Sequence, residues 1–224
     1  MIDGENLSVL DLGCGNGALT ELLAGRGHRA TGMDQSDTLL TEARQKHPEL
    51  TFFKGDATDF TVPEPYDVVF SNAVFHWIDR EKQPAMMACV YKALKPGGQF
   101  IFEMGGYGNN VLIHGALKKE FEKRGYTYKF PFYFPSIGEY AALLEQAGFL
   151  VRSALLFDRF TPLKGEDGLS AWIYMFVNNP FLGMEAKDHE DIIAAAVENL
   201  KPDLFVDGTW YSDYVRLRVK AIKK

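Results

Sequence analysis

Ser8-Val9-Leu10-Asp11-Leu12-Gly13-Cys14-Gly15-Asn16-Gly17 reads as a buried strand running straight into a glycine-rich turn, with a helical pattern starting at Ala18. Glycines at alternate positions let the backbone turn sharply and leave no Cβ between it and a bound ligand. The helix that follows offers free amides and a positive dipole end, which suit a carboxylate or a phosphate. The spacing is Gly-x-Gly-x-Gly, not the Gly-x-Gly-x-x-Gly of dinucleotide folds.

Outward from this turn the chain alternates between two periods. Leu19, Leu22 and Leu23 mark one helix face, closed by Gly25 and Gly27, and Arg29 to Asp34 is a second short strand. Ser36 can cap the next helix, which His47-Pro48 ends. Leu50 to Phe53 reads as a third strand ending at Gly55-Asp56, and Tyr66 to Phe70 as a fourth. Met86, Met87, Val90 and Leu94 define a helix stopped by Pro96-Gly97-Gly98, and Gln99 to Glu103 is a fifth strand. Strands alternating with helices predict βαβ units and a parallel sheet covered on both faces, with every post-strand loop on one rim.

After Glu103 the character changes. Gly105 to Asn110 reads as a flexible loop leading into a helix that ends near Gly125. Ser136-Ile137-Gly138-Glu139 is a capping box, and Gly148 closes that helix. Phe149 to Phe157 and Tyr211 to Ile222 look like two further strands, with a mostly helical insertion between them. The reading is one α/β domain over 1–224, with a cofactor-binding half at 7–105 and substrate-side cap segments at 106–148 and 160–208.

Composition narrows the classes. The 224 residues are 46% hydrophobic and 24% charged, ordinary values for a globular chain. A net charge of −6 argues against a duplex nucleic-acid binder, which needs a basic face to neutralise phosphates. Cys14 and Cys89 form no metal or disulfide framework, and His28, His47, His114 and His189 show no metal-ligand spacing, so no metal is expected. No apolar run reaches the ~18 residues of a membrane span, and the N-terminus has no signal-peptide pattern, so a cytoplasmic location is expected.

Asp34 and Asp56 end consecutive strands on the ligand rim. A carboxylate at Asp34 suits two ribose hydroxyls and repels a 2′-phosphate, while Asp56 suits an adenine amine. Each alone is equally well read as a solvated turn former; together they favour a nucleoside pocket.

At this point the chain resembles a known family. Val9 to Gly17, Gly32-Met33-Asp34-Gln35-Ser36, Gly55-Asp56-Ala57, Phe70-Ser71-Asn72-Ala73 and Leu94-Lys95-Pro96-Gly97-Gly98 look like the ordered motifs of class I S-adenosylmethionine-dependent methyltransferases. Ser71 to Ile78 is similar to the trans-aconitate methyltransferase-like subgroup, and the later stretches resemble a bacterial and archaeal branch of it. The resemblance implies a doubly wound, Rossmann-like, seven-stranded sheet whose last strand is antiparallel. It implies S-adenosylmethionine as cofactor, with Asp11, Gly13, Gly15 and Gly17, and with them Cys14 and Asn16 of the same loop, around the methionine part. Asp34 would hold the ribose, Gln35 would border the adenine, Asp56 and the Ala57 amide would read its edge, and Ser71 and Asn72 would face the methionine near the sulfonium. Family members usually carry a helical segment before the first strand that closes over the cofactor. Met1 to Asn6 stand there in this sequence, so the expectation is either that the sequence is shortened at this end or that the site is more open.

A sulfonium methyl is a strong electrophile, so alignment of an acceptor is the main catalytic need. A carboxylate acceptor needs no base; a phenol, amine or carbon acid does, and His76 is the nearest candidate. Its plain alternative is to cap the following turn or pack on Trp77. Tyr107, Asn109, Tyr133, Trp172 and Trp210, with Trp77, form the expected acceptor pocket. Arg152, Arg159, Arg216 and Arg218 suit a carboxylate clamp, although Arg216 and Arg218 alternate with apolar residues as on a solvated strand face. The expected activity is methyl transfer to a small molecule bearing a carboxylate or hydroxyl. The alternatives are a non-catalytic binder of the same cofactor and a nicotinamide-dependent oxidoreductase.

Overall fold

The computed structural model describes residues 1–224. Its first half runs β1 (Ser8–Leu12), α1 (Ala18–Gly25), β2 (Arg29–Asp34), α2 (Asp37–Lys46), β3 (Thr51–Lys54), β4 (Tyr66–Asn72), α3 (Gln83–Ala93) and β5 (Leu94–Gly105). These strands are parallel, with Leu10 of β1 beside Thr31 of β2 and Val69 of β4. Val9, Leu10, Val68 and Val69 are fully buried, because helices cover both faces. Val9, Val68 and Ile101 pack with Leu23 of α1, whereas Leu10, Val69 and Phe100 pack with Met86, Met87 and Val90 of α3.

The second half runs α4 (Val111–Lys123), α5 (Ile137–Gln146), β6 (Phe149–Pro162), α6 (Gly168–Phe176), α7 (Ala186–Leu204), β7 (Phe205–Val206) and β8 (Thr209–Lys223). The strand order is β3-β2-β1-β4-β5-β8-β6, and the two-residue β7 pairs with β8 outside that path. β8 is antiparallel to both β5 and β6, so the reversed last strand lies inside the sheet. The chain steps outward from β1 through β2 to β3, then returns to the other side of β1 as β4. The loops after β1 and β4 therefore diverge and leave a crevice at that switch point.

The β6–β8 ladder extends from Phe149–Lys223 to Pro162–Tyr211 and carries the cap. Ile113, Leu117, Phe121, Leu169, Ile173, Ile192 and Ile193 of α4, α6 and α7 form a core separate from the sheet's. α5 corrects the expected cap boundary of 106–148: Tyr140 and Leu144 lie in the sheet core, and its capping box is half made. Ser136 Oγ accepts from the Glu139 N–H at 3.2 Å, while the Glu139 carboxylate takes Tyr133 Oη and Arg80.

Gly105 to Asn110 is no flexible loop. Gly106 N donates to Val215 O at 2.9 Å, Asn110 N donates to Asp213 O at 3.0 Å, and the buried Asn110 amide donates to Ser212 Oγ at 2.6 Å. Small residues here serve close approach: a Cβ on Gly106 would lie 2.4 Å from Leu156 Cδ1 and 2.9 Å from Leu217 Cβ. Gly106→Ala should therefore cost about 1–3 kcal/mol, read as a lowered Tm. Gly115→Ala, in open space within α4, should gain roughly 0.5–1 kcal/mol. Equal effects of the two substitutions would contradict this packing.

Candidate active site

The glycine turn is pinned to the end of β2. Gly13 N and Cys14 N donate to Met33 O at 2.7 and 3.0 Å. Gly15 N donates to Asp34 Oδ2 at 2.8 Å, and Ser36 N donates to Asp34 Oδ1 at 2.9 Å. Gly13, with φ of 77°, also admits no side chain, since a Cβ there would lie 2.2 Å from Val74 Cγ2. Each carboxylate oxygen keeps acceptor capacity after one bond. Asp34 is half-buried and faces a cleft of about 470 Å³ lined also by Gly13, Gly15, Gln35, Asp56, Ala57 and Asn72.

Apolar side chains of Met33, Leu39, Val74 and Ile78 wall the same cleft. Asp56 Oδ1 accepts from Thr58 N and Thr58 Oγ1, both at 2.8 Å, which holds its carboxyl below the usual range. Its Oδ2 takes no protein donor and stays available to an amine. A diol acceptor, an amine acceptor and flat apolar walls fit an adenine nucleoside.

Five residues expected on the cofactor do not line this cleft. Asp11 is buried beneath the turn and accepts from Thr20 Oγ1 at 2.7 Å. Burial raises its pKa to about 6, against the lowering effect of Thr20 and with Asp34 adding to the rise. Cys14 packs with Leu40, Ala43 and Phe52, and burial pushes its thiol up to about 12. Asn16 reaches Glu42 instead, at 3.4 Å. Gly17 is the residue before α1, where a Cβ would meet the Phe52 ring at 2.8 Å. Ser71 Oγ is buried and donates to Leu12 O at 2.7 Å.

At the end of β4 the cleft meets a smaller recess of about 110 Å³ through Ala73 and Trp77, which line both. Ala73 holds the left-handed conformation, φ 60°, uncommon for a residue with a Cβ. Phe132 and Phe134, stacked at 5.3 Å between centroids, line the recess together with Trp172, Tyr214 and Asn109. Trp172 Nε1 donates to Tyr214 Oη at 2.5 Å, and the Arg216 guanidinium lies over the Tyr214 ring at 4.0 Å. Arg216 Nε is buried and has no hydrogen-bond partner.

His76 lines the recess but is no general base. Gly105 N donates to its Nδ1 at 3.2 Å, so the ring proton sits on Nε2 and no lone pair remains free. Burial, with the Arg216 charge adding, lowers its pKa to about 3. Tyr107 is 69% exposed and Trp210 is buried in the cap core, its Nε1 donating to Glu166 O at 3.1 Å; neither lines the recess. Tyr133 lies in the adjoining surface groove, its hydroxyl donating to Glu139. The sequence reading missed Tyr214, Phe132, Phe134 and Phe176, and for Arg216 it weighed a carboxylate clamp but favoured a solvated face. A second cleft, about 550 Å³, opens between α1 and β5 around Leu19, Leu22, Phe70 and Ile101.

Asp34→Ala should weaken S-adenosylhomocysteine binding by roughly a hundredfold, since charged acceptors contribute about 1.5–3 kcal/mol per hydrogen bond. Calorimetric titration checks this, and unchanged affinity would contradict the diol role. Because burial holds His76 neutral down to about pH 3, it should contribute no ionisation near neutrality to the pH profile of kcat/KM. A limb with an apparent pKa near 6.5 would restore it as a titrating base.

A family model described as a methyltransferase domain matches residues 9–98. A Schizosaccharomyces pombe protein described as an uncharacterized methyltransferase is 32% identical over 234 residues, covering 96% of this chain and 86% of that protein. The likeness thus reaches beyond bacteria and archaea. A trans-aconitate 2-methyltransferase of Rhizobium rhizogenes is 27% identical over 231 residues, covering 96% of this chain and 87% of that protein. Among solved structures, an S-adenosylmethionine-dependent methyltransferase from Mesorhizobium loti superposes with a TM-score of 0.58 at 18% identity, covering 100% of this chain and 94% of that one.

Proposed function

The chain belongs to the class I S-adenosylmethionine-dependent methyltransferases, and from that premise we propose that its acceptor is a small molecule, a carboxylic acid in preference to an alcohol, taken into the recess behind Ala73. The cofactor supplies an electrophilic methyl whose departure leaves a neutral thioether. Asp34 would accept both ribose hydroxyls while still holding the Gly15 and Ser36 amides. Asp56 and the Ala57 amide would meet the adenine edge, Gln35 would border it, and Gly13, Gly15 and Asn72 would run along the remainder.

The observation that carries the reading is the small aromatic recess joined to the nucleoside cleft at Ala73 and Trp77. Its size suits a small molecule, and Trp172 and Phe176 of the cap helix α6 line it. We read 1–224 as one domain on this basis. The neutral His76, with its free N–H at Nε2, can donate to an acceptor and cannot deprotonate one. That favours a carboxylate, which already carries its electron pair. The name of the Rhizobium rhizogenes relative points the same way, since trans-aconitate is a small acid.

No helix is long and apolar enough to cross a membrane. The test is to incubate the chain with methyl-labelled S-adenosylmethionine and a whole-cell extract, then separate small molecules from macromolecules. Label in the small-molecule fraction, released by mild base as from a methyl ester, is the expected result. Label confined to protein or nucleic acid would overturn the reading.

A further inference from the structure

Three guanidiniums lie along one stretch of the sheet: Arg159 on β6, and Arg216 and Arg218 on β8. Arg159 and Arg218 share Glu103 of β5 as counter-ion; its Oε1 accepts from Arg159 Nη1 at 2.8 Å and its Oε2 accepts from Arg218 Nη2 at 2.6 Å and Nε at 2.8 Å. Arg216 makes no ion pair with it and is stacked on Tyr214, with Nε buried and unpaired at the recess. A buried donor without a partner is costly and calls for an anionic acceptor.

The recess also has an outward continuation. His76, Trp77 and Phe132 line both it and a surface groove of about 330 Å³, which continues over Phe130 and Pro131. Trp77 and Phe132 meet edge to face at 4.7 Å, and Trp77 is 47% exposed while Phe130 is 51% exposed. Such aromatic exposure along one track needs an apolar occupant to be covered. The charged residues of the groove, Arg80 and Lys129 among them, are surface groups, and Arg80 already pairs with Glu139 at 2.9 Å.

Resting on the function proposed above, we infer that the acceptor is an amphipathic monocarboxylate: its carboxylate meets Arg216 and the His76 Nε2–H, and its apolar body follows Trp77 and Phe132 out to Phe130. A carboxylate oxygen provides the electron pair of the new C–O bond, the C–S pair stays on sulfur, and no proton moves. Arg216 is then the residue that sets specificity for one negative charge. A compact tricarboxylate brings two further charges among the aromatic rings of a recess whose lining holds no cationic side chain besides Arg216, which is unfavourable. In this the chain departs from relatives named for trans-aconitate.

The test compares kcat/KM of the full chain for cinnamate and octanoate with that for trans-aconitate and citrate, scoring the methyl esters by mass. The two apolar acids should lead by about tenfold or more, as expected when unpaired charge must be desolvated. Arg216→Gln should reduce kcat/KM for octanoate by about 10–100-fold with S-adenosylhomocysteine affinity unchanged, and Arg216→Lys should recover part of it. Phe130 is exposed, so Phe130→Ala should fold normally and raise the KM for octanoate several-fold. A preference for trans-aconitate or citrate, or no ester from any acid by a chain that binds S-adenosylhomocysteine, would overturn this inference and leave methyl transfer standing. Failure of the chain to bind S-adenosylhomocysteine would overturn both.

Discussion

The carboxylate of Asp34 is the tie on which the site depends. It ends β2 and takes the amide of Gly15 on one oxygen and the amide of Ser36 on the other. The loop after β1 and the start of α2 are thus held to a single group, with the Met33 carbonyl adding the amides of Gly13 and Cys14. Gly13, Gly15 and Gly17 all take positive φ in this turn, a conformation that costs a residue with a Cβ. The ionised acid offsets that constraint because charged acceptors form the stronger hydrogen bonds. Its unspent lone pairs face the cleft, so the group that organises the turn is also the one a nucleoside diol would meet.

The acceptor side depends on a different device, the long antiparallel β6–β8 ladder. Reversal of β8 brings its early residues, Ser212 to Arg216, up beside the end of β5 and under the cap. Asn109 and Asn110 lock that junction, with Asn109 Oδ1 accepting from Val215 N at 2.9 Å and the Asn110 amide reaching Ser212. Glu103 accepts from two arginines of this region, and Arg216 lines the recess. His76, held by the Gly105 amide, adds a fixed N–H and no base. The arrangement suits an acceptor that arrives already anionic.

Much of the first hundred residues was legible because strand and helix periods differ and glycine, proline and capping residues punctuate them. Asp34 and Asp56 could be placed on the cleft from their positions at strand ends, and Gln35 and Ala57 from the family resemblance. Asp11, Cys14 and Ser71 could not be told apart from cleft residues by position alone. Each sits at or beside a strand end, but its side chain turns into a hydrogen bond or a core: Thr20, the α2 cluster, and Leu12 O. The alternation along β8 correctly separated Arg216 and Arg218 from Leu217 and Val219. It carried no information about Tyr214, Trp172 and the cap covering one end of that face. Likewise, the glycines and asparagines of 105–110 suggested looseness, whereas they allow β5, β8 and Phe134 to approach closely. Trp210 and Tyr107 failed as pocket residues because aromatic type does not report which core a side chain joins.

The most direct test is a crystal structure of the chain with S-adenosylhomocysteine. Both ribose hydroxyls should lie within about 3.2 Å of the Asp34 oxygens, hydrogen-bonding distance, while Gly15 and Ser36 keep their bonds to the same carboxylate. A nucleoside seated instead in the cleft between α1 and β5, with Asp34 unengaged, would contradict the account.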